Sequence, residues 1–243
     1  MQSNQFNENF TNYLKEKNNL EAEEHQSSGK ISPSKITKPT LEAVLSLLGV
    51  PSDPPSDQGL RYFLRGNILE EVGIKAITFG RPSGELQVEA TYRNAIGYID
   101  CYLGVPHEIK SAGVSTWGKV KKHGKPLNSH CIQATYYALA KDTKYSWVHY
   151  VNTDTFQIIS HRVEADEYKD EVDRRISGIL ACLMARLLPD YEPLDDLHKT
   201  IMFCEYKMFY KKTGEEAENI LKEFYPDQYK LLKSGTVYER IKE

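Results

Sequence analysis

Apolar residues recur at helical spacing in the first third of the chain and alternate with polar residues further on. The helical spacing predicts one helix over residues 40–48, with Thr40 as its N-cap, and a second helix over residues 58–72. The stripe expected to be buried on the second helix consists of Leu60, Phe63, Leu64, Ile68 and Leu69.

β-Branched and aromatic residues predict three strands before and two strands after a helix over residues 129–141. Residues 112–127, between the third strand and that helix, are expected to form a loop. From Ala165 onward the pattern is helical again. The strands are expected at residues 86–92, 95–103, 107–111, 147–151 and 156–162.

The order of these elements defines the fold class and the expected domains. Helix, three strands, helix and strand form an αβββαβ core of the α/β class, more strictly α+β, with a mixed central sheet flanked by helices. We assign this core to residues 40–188. Residues 1–39 are polar and end in a Ser-, Gly- and Pro-rich linker, which predicts a flexible N-terminal extension. Residues 189–243 are expected to form a helical C-terminal extension.

Charge and composition exclude several classes of protein. Of the 243 residues, 40% are hydrophobic and 27% are charged, which is ordinary for a globular protein. The net charge of −3 excludes a polycation, so any contact with nucleic acid must come from a local basic patch. No stretch approaches the roughly 20 apolar residues that span a bilayer. The first residues lack the basic start and apolar run of a signal peptide, so we expect a cytoplasmic protein without membrane contact.

The four cysteines carry no metal-binding signature. None lies within four residues of another, so no CxxC pair indicates a zinc ribbon or an iron–sulfur cluster. Buried free thiols in a reducing compartment are the expected state.

Candidate chemistry is concentrated in GYIDCYLGVPHEIKSAG, residues 97–113. Asp100 ends one predicted strand, and Glu108 and Lys110 lie two residues apart on the next, so those two side chains share a face. A turn at residues 104–106 would bring Asp100 beside them. Such a cluster favours Mg²⁺, which prefers carboxylate oxygens and binds substrate phosphates, with the Ile109 carbonyl as a further candidate ligand. The alternative is a solvated hairpin with a surface ion pair.

Two flanking motifs favour the metal site over that alternative. Gln133 and Tyr137 lie four residues apart and share one face of the helix that follows the third strand. Glu70, on the helix before the strands, could carry a third carboxylate to the same end of the sheet.

The chain order of these motifs resembles the PD-(D/E)xK nuclease superfamily, in its RecB-like branch with a Q-x-x-x-Y motif. That branch includes CRISPR-associated RecB-like exonucleases, and phage-type exonucleases belong to the wider superfamily. The resemblance covers residues 59–179 and implies a restriction-endonuclease-like core. It also implies Mg²⁺- or Mn²⁺-dependent hydrolysis of DNA, most simply by an exonuclease in DNA repair, recombination or replication. The cluster cysteines of some CRISPR-associated members are absent, so no iron–sulfur cluster is expected.

The resemblance also implies roles for individual residues. Asp100, Glu108 and Lys110 match the catalytic motif, while Gln133 and Tyr137 match the helix motif that supports the active site and contacts DNA. Glu70 occupies a place where many members have a histidine and others a glutamate. The implied metal ligands are Glu70, Asp100, Glu108 and the carbonyl of Ile109.

Residues 109–141 contain no Asp or Glu and are rich in lysine, which suits a substrate with an anionic backbone. A solvated lysine loop is the alternative. Trp117 could stack on an unpaired base or anchor the loop, and His130 could reach a phosphate or pack its helix. The candidate DNA-binding residues are Trp117, Lys119, Lys121, Lys122, Lys125 and His130.

Two non-enzymatic interpretations stay open. A catalytically silent DNA-binding module on a nuclease-like fold would bind DNA without turnover, and a protein-interaction domain would show no salt-sensitive affinity for DNA. Association with a second copy of the chain, or with a recombination or replication protein, also stays open. So do cleavage polarity, exonuclease against endonuclease action, and DNA against RNA.

Overall fold

The computed structural model describes residues 2–24, 29–80, 84–194, 199–201 and 204–242. A five-stranded sheet runs through it in the spatial order β1-β2-β3-β4-β5. β3 and β4 are parallel, and the other neighbouring pairs are antiparallel. The strands are β1 (Glu85–Tyr92), β2 (Ala95–Tyr102), β3 (Pro106–Ala112), β4 (Tyr145–Asn152) and β5 (Ile158–Glu164).

Helices pack on both faces of this sheet. They are α1 (Gln2–Glu24), α2 (Pro33–Ile36), α3 (Thr40–Leu47), α4 (Asp57–Thr78), α5 (Val114–His123), α6 (Asn128–Ala140), α7 (Ala165–Ala185), α8 (Gly214–Phe224), α9 (Pro226–Ser234) and α10 (Thr236–Lys242). Ile109 and Val151 pack with Leu69 of α4, while Val148 packs with Ala134 of α6. Among the described residues, no helix is both long enough and apolar enough to cross a bilayer.

The predicted αβββαβ order and the mixed sheet flanked by helices are confirmed. α4, β1, β2, β3, α6 and β4 follow one another in that order, with α5 inserted before α6. The parallel pairing of β3 and β4 requires a crossover, and the segment containing α5 and α6 provides it. β3 therefore lies in the middle of the sheet, where both neighbours constrain it.

The prediction of a loop over residues 112–127 is wrong, because Val114–His123 forms α5. Trp117 and Val120 lie three residues apart and pack on a shared buried cluster, so a short apolar stripe was present. Gly124, with a φ of 63°, ends the helix in the left-handed conformation that glycine adopts easily. Lysines and a histidine in the last turn also suit the negative end of the helix dipole.

The buried stripe predicted on α4 is wrong at two positions. Leu60 and Leu69 are buried, whereas Phe63 is 56% exposed and Ile68 is 51% exposed. α4 also continues to Thr78, beyond the predicted end, because Ile74 and Ile77 pack against the sheet at Ile109. The helix thus contacts the sheet along a narrower and longer line than its sequence suggested.

The linker predicted near the N-terminus is wrong for residues 31–36. Ile31 and Ile36 are fully buried in the main core, and Ile31 forms a bridge to Ala95. Pro33 lies so close to Gly97 of β2 that a methyl group there would meet its ring at 2.3 Å. The same core includes Leu221, Leu232, Val237 and Ile241 of α8–α10. The division of the chain into a core and two extensions stays a prediction.

Candidate active site

The candidate site lies where β2 and β3 separate. Their ladder comprises only two residue pairs, Cys101 with His107 and Tyr102 with Pro106. Beyond these pairs, the Asp100 carboxylate accepts a hydrogen bond from the backbone N–H of Ile109 at 2.8 Å. A side chain therefore takes the place of a strand partner at this fork. β3 is held meanwhile by continuous pairing with β4.

Glu108 and Lys110 form a close ion pair on β3, as their two-residue spacing predicted. Lys110 Nζ lies 2.5 Å from Glu108 Oε1, and Glu108 is only 2% exposed. The second oxygen, Oε2, is buried and has no hydrogen-bond partner among the described residues. An unsatisfied buried oxygen on a charged group is costly, so this atom is a strong candidate to receive a ligand.

Glu70 joins the cluster from α4, where it is half-buried. Burial raises its pKa, and the nearby charge of Glu108 raises it further. The pKa of Asp100 rises to about 8, first because the group is buried and then because Glu108 and Glu70 are close. The three acids therefore lie close enough at the fork for their charges to affect one another.

Lys110 partly offsets the repulsion among these acids. Its burial alone would lower its pKa, but Glu108, followed by Asp100 and Glu70, outweighs that effect and raises the pKa. The side chain consequently keeps its positive charge at neutral pH.

Tyr137 and Gln133 of α6 border the same cluster. Tyr137 is buried, and its pKa lies well above the usual range because of burial and then the charge of Glu108. Gln133 Nε2 donates to the Tyr137 hydroxyl at 3.3 Å. The predicted pair thus lies together on one helix face and is coupled to the acidic site.

The donor set at the fork fits one way in which proteins bind a divalent cation. Within the described ranges, no three or more His, Cys, Asp or Glu side chains are arranged to hold a metal ion by themselves. Mg²⁺ needs fewer protein ligands, since it keeps several waters and uses one or two carboxylates together with substrate phosphates. The unpaired oxygen of Glu108 and the nearby carboxyl groups of Asp100 and Glu70 fit that mode of binding.

The structure divides the predicted DNA-binding residues into two groups. Trp117 is half-buried and packs on the cluster around Val120, and the His130 ring nitrogen Nδ1 lies 2.7 Å from the Tyr150 hydroxyl. These two side chains anchor the crossover segment to the sheet. The exposed members, on α5 and in the turn after it, are Lys119, Lys121, Lys122 and Lys125.

The sequence matches no family model and no curated protein. Among solved structures, SSO0001 is 15% identical and has a TM-score of 0.54 over 84% of this chain and 98% of its own. An alkaline exonuclease from Laribacter hongkongensis, LHK-Exo in complex with dAMP, is 19% identical and has a TM-score of 0.50, over 65% of this chain and 89% of its own. The chain shares its fold with an exonuclease.

A phage-related exonuclease from Haemophilus somnus 129PT overlaps less closely, with a TM-score of 0.47 and 16% identity over 62% of this chain and 91% of its own. At these identities the likeness concerns the exonuclease fold alone.

The sequence leaves two roles open for Tyr98, which could pack on the opposite face of the sheet or support Asp100. Tyr98 is 53% exposed and lies two residues before Asp100 on β2. Residues two apart on a strand share a face, so the alternation of β2 could have placed Tyr98 next to the site. The unpaired oxygen of Glu108, by contrast, has no signal in the sequence, because it depends on what other elements leave uncovered.

Proposed function

We propose that the protein is a metal-dependent nuclease that hydrolyses DNA phosphodiester bonds with Mg²⁺ or Mn²⁺. The observation that carries the proposal is the convergence of Glu70, Asp100, Glu108 and Lys110 where β2 and β3 separate, with one buried carboxylate oxygen unpaired. The order of motifs resembles that of RecB-like nucleases with a Q-x-x-x-Y helix. A role as an exonuclease in DNA repair, recombination or replication follows from that resemblance.

The candidate ligands are the carboxylates of Glu70, Asp100 and Glu108 and the carbonyl of Ile109. One or two of these carboxylates, together with waters and substrate phosphate oxygens, would hold the cation. When bound, such an ion lowers the pKa of a coordinated water and neutralises charge on phosphate oxygens. Asp100 has a second task, since its bond to the Ile109 N–H fixes the spacing between β2 and the Glu108 strand.

Lys110 and Tyr137 supply charge and hydrogen bonding in this mechanism. Because its pKa is raised, Lys110 acts as a fixed positive charge toward the scissile phosphate rather than as a base. Tyr137 keeps its proton and, because its oxygen accepts from Gln133, its hydroxyl is oriented by that bond. The solvent-facing lysines of α5 provide a sequence-independent contact to the DNA backbone.

Two observations support this assignment over a purely structural domain. The fold is shared with an alkaline exonuclease whose structure contains dAMP. A deoxynucleoside monophosphate of this kind is what hydrolysis of a DNA end releases. Charged residues are also rarely buried unless they are paired or serve a site, and here the buried Glu108 is only half-satisfied.

The decisive experiment is a time course on end-labelled linear and covalently closed circular DNA, with a matched RNA substrate, in Mg²⁺, Mn²⁺ or EDTA. We expect cleavage of DNA with either metal and none in EDTA, with closed circles spared if the enzyme needs an end. Binding of DNA without turnover under every metal would support the silent module instead. Absence of both binding and cleavage would overturn the proposal.

A further inference from the structure

A line of three residues on α4 leads away from the candidate site. Phe63, Asn67 and Glu70 follow the spacing i, i+4 and i+7, so they share one face of the helix. Glu70 lies in the acidic cluster, and Phe63 lies about 10 Å further along the helix axis, toward its N-terminus. Phe63 is 56% exposed although it is a large apolar side chain.

Phe63 and Asn67 line a cleft between α1 and α4. The cleft is shallow and open to solvent, enclosing only about 20 Å³, so a ligand would lie across it rather than inside it. The residues that line it are Leu14, Lys17, Asn18, Leu60, Phe63, Leu64 and Asn67. α1 is attached to α4 beside the cleft, because Lys15 pairs with Asp57 at 3.1 Å and Arg61 reaches Thr11 at 3.2 Å.

The chemistry of the lining fits a nucleotide. The cleft offers an aromatic ring, two carboxamides and the ammonium of Lys17, and the residues lining it in the described structure include no acid. Arg61, on the same helix, reaches Thr11 of α1 and adds positive charge beside the cleft. Such a combination of an exposed ring with cations is the composition of sites that hold unpaired nucleic-acid strands.

We propose that this cleft binds one unpaired nucleotide of a DNA strand whose backbone passes the Glu70 cluster, with the base stacked on Phe63. The proposal rests on the proposed nuclease function and narrows its substrate to a strand with unpaired bases at or near the cutting point. Asn67 and Asn18 would contact the edge or sugar of the nucleotide, and Lys17 would contact its phosphate.

Binding of a short oligothymidylate that carries one 2-aminopurine base tests the proposal. The measurement is made in EDTA, so that neither metal nor turnover contributes. We expect the fluorescence of 2-aminopurine to be quenched by the wild-type protein, since quenching reports stacking. Phe63→Leu keeps an apolar contact with α1 but has no ring, so we expect affinity to fall on the order of tenfold and quenching to be lost.

Ile68→Ala is the matched control, because Ile68 is 51% exposed on the same helix but lies off the Phe63–Glu70 line. It should bind like wild type, and Phe63→Trp should restore both affinity and quenching. Unchanged affinity and quenching in Phe63→Leu would overturn the proposal, as would an equal loss in Ile68→Ala. Tighter binding of blunt duplex than of the single strand would also overturn it.

The cleft and the nuclease activity can fail separately. If the probe stacks on Phe63 but DNA is never cut in Mg²⁺, the nucleotide-binding cleft is supported and the proposed nuclease function is contradicted. If the wild-type protein cuts DNA but Phe63→Leu binds the probe normally, the nuclease function is supported and the nucleotide-binding cleft is contradicted.

Discussion

The carboxylate of Asp100 accepts the backbone N–H of Ile109 at 2.8 Å, nine residues further along the chain. That N–H faces the gap where β2 has left β3, so the bond replaces a strand pairing that the separation removes. Asp100 therefore shapes the fork and supplies a carboxyl group that can ionise when a cation binds there. These two contributions can be separated by substitution.

Asp100→Asn should retain the shape of the fork and lose the carboxyl group that can ionise when a cation binds. An amide oxygen still accepts from Ile109, so the melting temperature should stay close to that of wild type, whereas DNA cleavage should fall at least about 100-fold. Asp100→Leu, which removes the acceptor as well, should lose about 1 kcal/mol of stability in addition. Asp154→Asn, in the exposed turn before β5, serves as the control and should change neither quantity. Cleavage near the wild-type rate in Asp100→Asn would contradict the assigned role.

Mg²⁺ should stabilise the wild-type fold against heat. Because a ligand that binds only the folded state stabilises it by mass action, a hundredfold excess over the dissociation constant would contribute about 2.7 kcal/mol. Glu108→Gln replaces the carboxylate whose Oε2 lacks a partner, so most of this stabilisation should disappear. Glu71→Gln removes an exposed carboxylate next to Glu70 in the sequence. Mg²⁺ should stabilise this variant as much as it stabilises wild type. Equal thermal shifts in the two variants would show that the metal, if bound, lies elsewhere.

Exposed lysines on α5 should govern the affinity for DNA without affecting the fold. Single alanine substitutions at Lys119, Lys121 and Lys122 should each weaken binding and reduce the slope of log K against log salt by about one. The slope is read from binding titrations at several salt concentrations in EDTA. Lys222→Ala, on α8, is an exposed control and should leave the slope unchanged. The same slope in all four variants would show that α5 is not part of the DNA-binding surface.

Gly97 should not tolerate a side chain. Its added Cβ would lie 2.3 Å from Pro33 Cγ and 2.5 Å from Pro33 Cδ, so Gly97→Ala should lower the free energy of unfolding by roughly 1–3 kcal/mol. Gly118→Ala in α5 meets nothing within 4 Å and should stabilise the helix by up to about 1 kcal/mol. Denaturant titration measures both effects. A neutral Gly97→Ala would mean that the α2 segment does not belong to the core.

His149 should make stability depend on pH in the acid range. Burial, and then the charge of His107, lower its pKa from 6.5 to about 4. Its ring nitrogens lie 2.9 Å from His107 Nδ1 and 2.7 Å from Ser160 Oγ, and its ring stacks on Trp147. Between pH 6.5 and about 4, His149 binds a proton in the unfolded chain but not in the folded protein. The free energy of unfolding therefore falls as pH falls, by roughly 3 kcal/mol.

The pH dependence can be assigned by substitution. His149→Gln cannot take up this proton, so its free energy of unfolding should change less between pH 7 and pH 4 than that of wild type. Chemical denaturation at a series of pH values gives both curves. Parallel curves would place the acid sensitivity at other groups.

The sequence by itself determined the order of the elements and part of the site. Alternation along β3 puts Glu108 and Lys110 on one face whatever surrounds them, and helical spacing does the same for Gln133 and Tyr137. Both are local regularities of the backbone. The chain order of helix, strands and helix depends only on such local periods, so the αβββαβ core was predictable with its strand ends correct to about two residues.

The tertiary structure decided what each residue meets across the fold. The helical period of α4 predicts that Phe63 is buried. The line along which α4 packs on the sheet instead leaves Phe63 exposed beside α1. Ile31 lies in a polar stretch, yet β2 buries it through a bridge to Ala95. The separation of β2 from β3, which directs Asp100 to Ile109, likewise depends on contacts between distant segments. Burial and hydrogen-bond partners are properties of neighbours in space, and a one-dimensional pattern does not contain them.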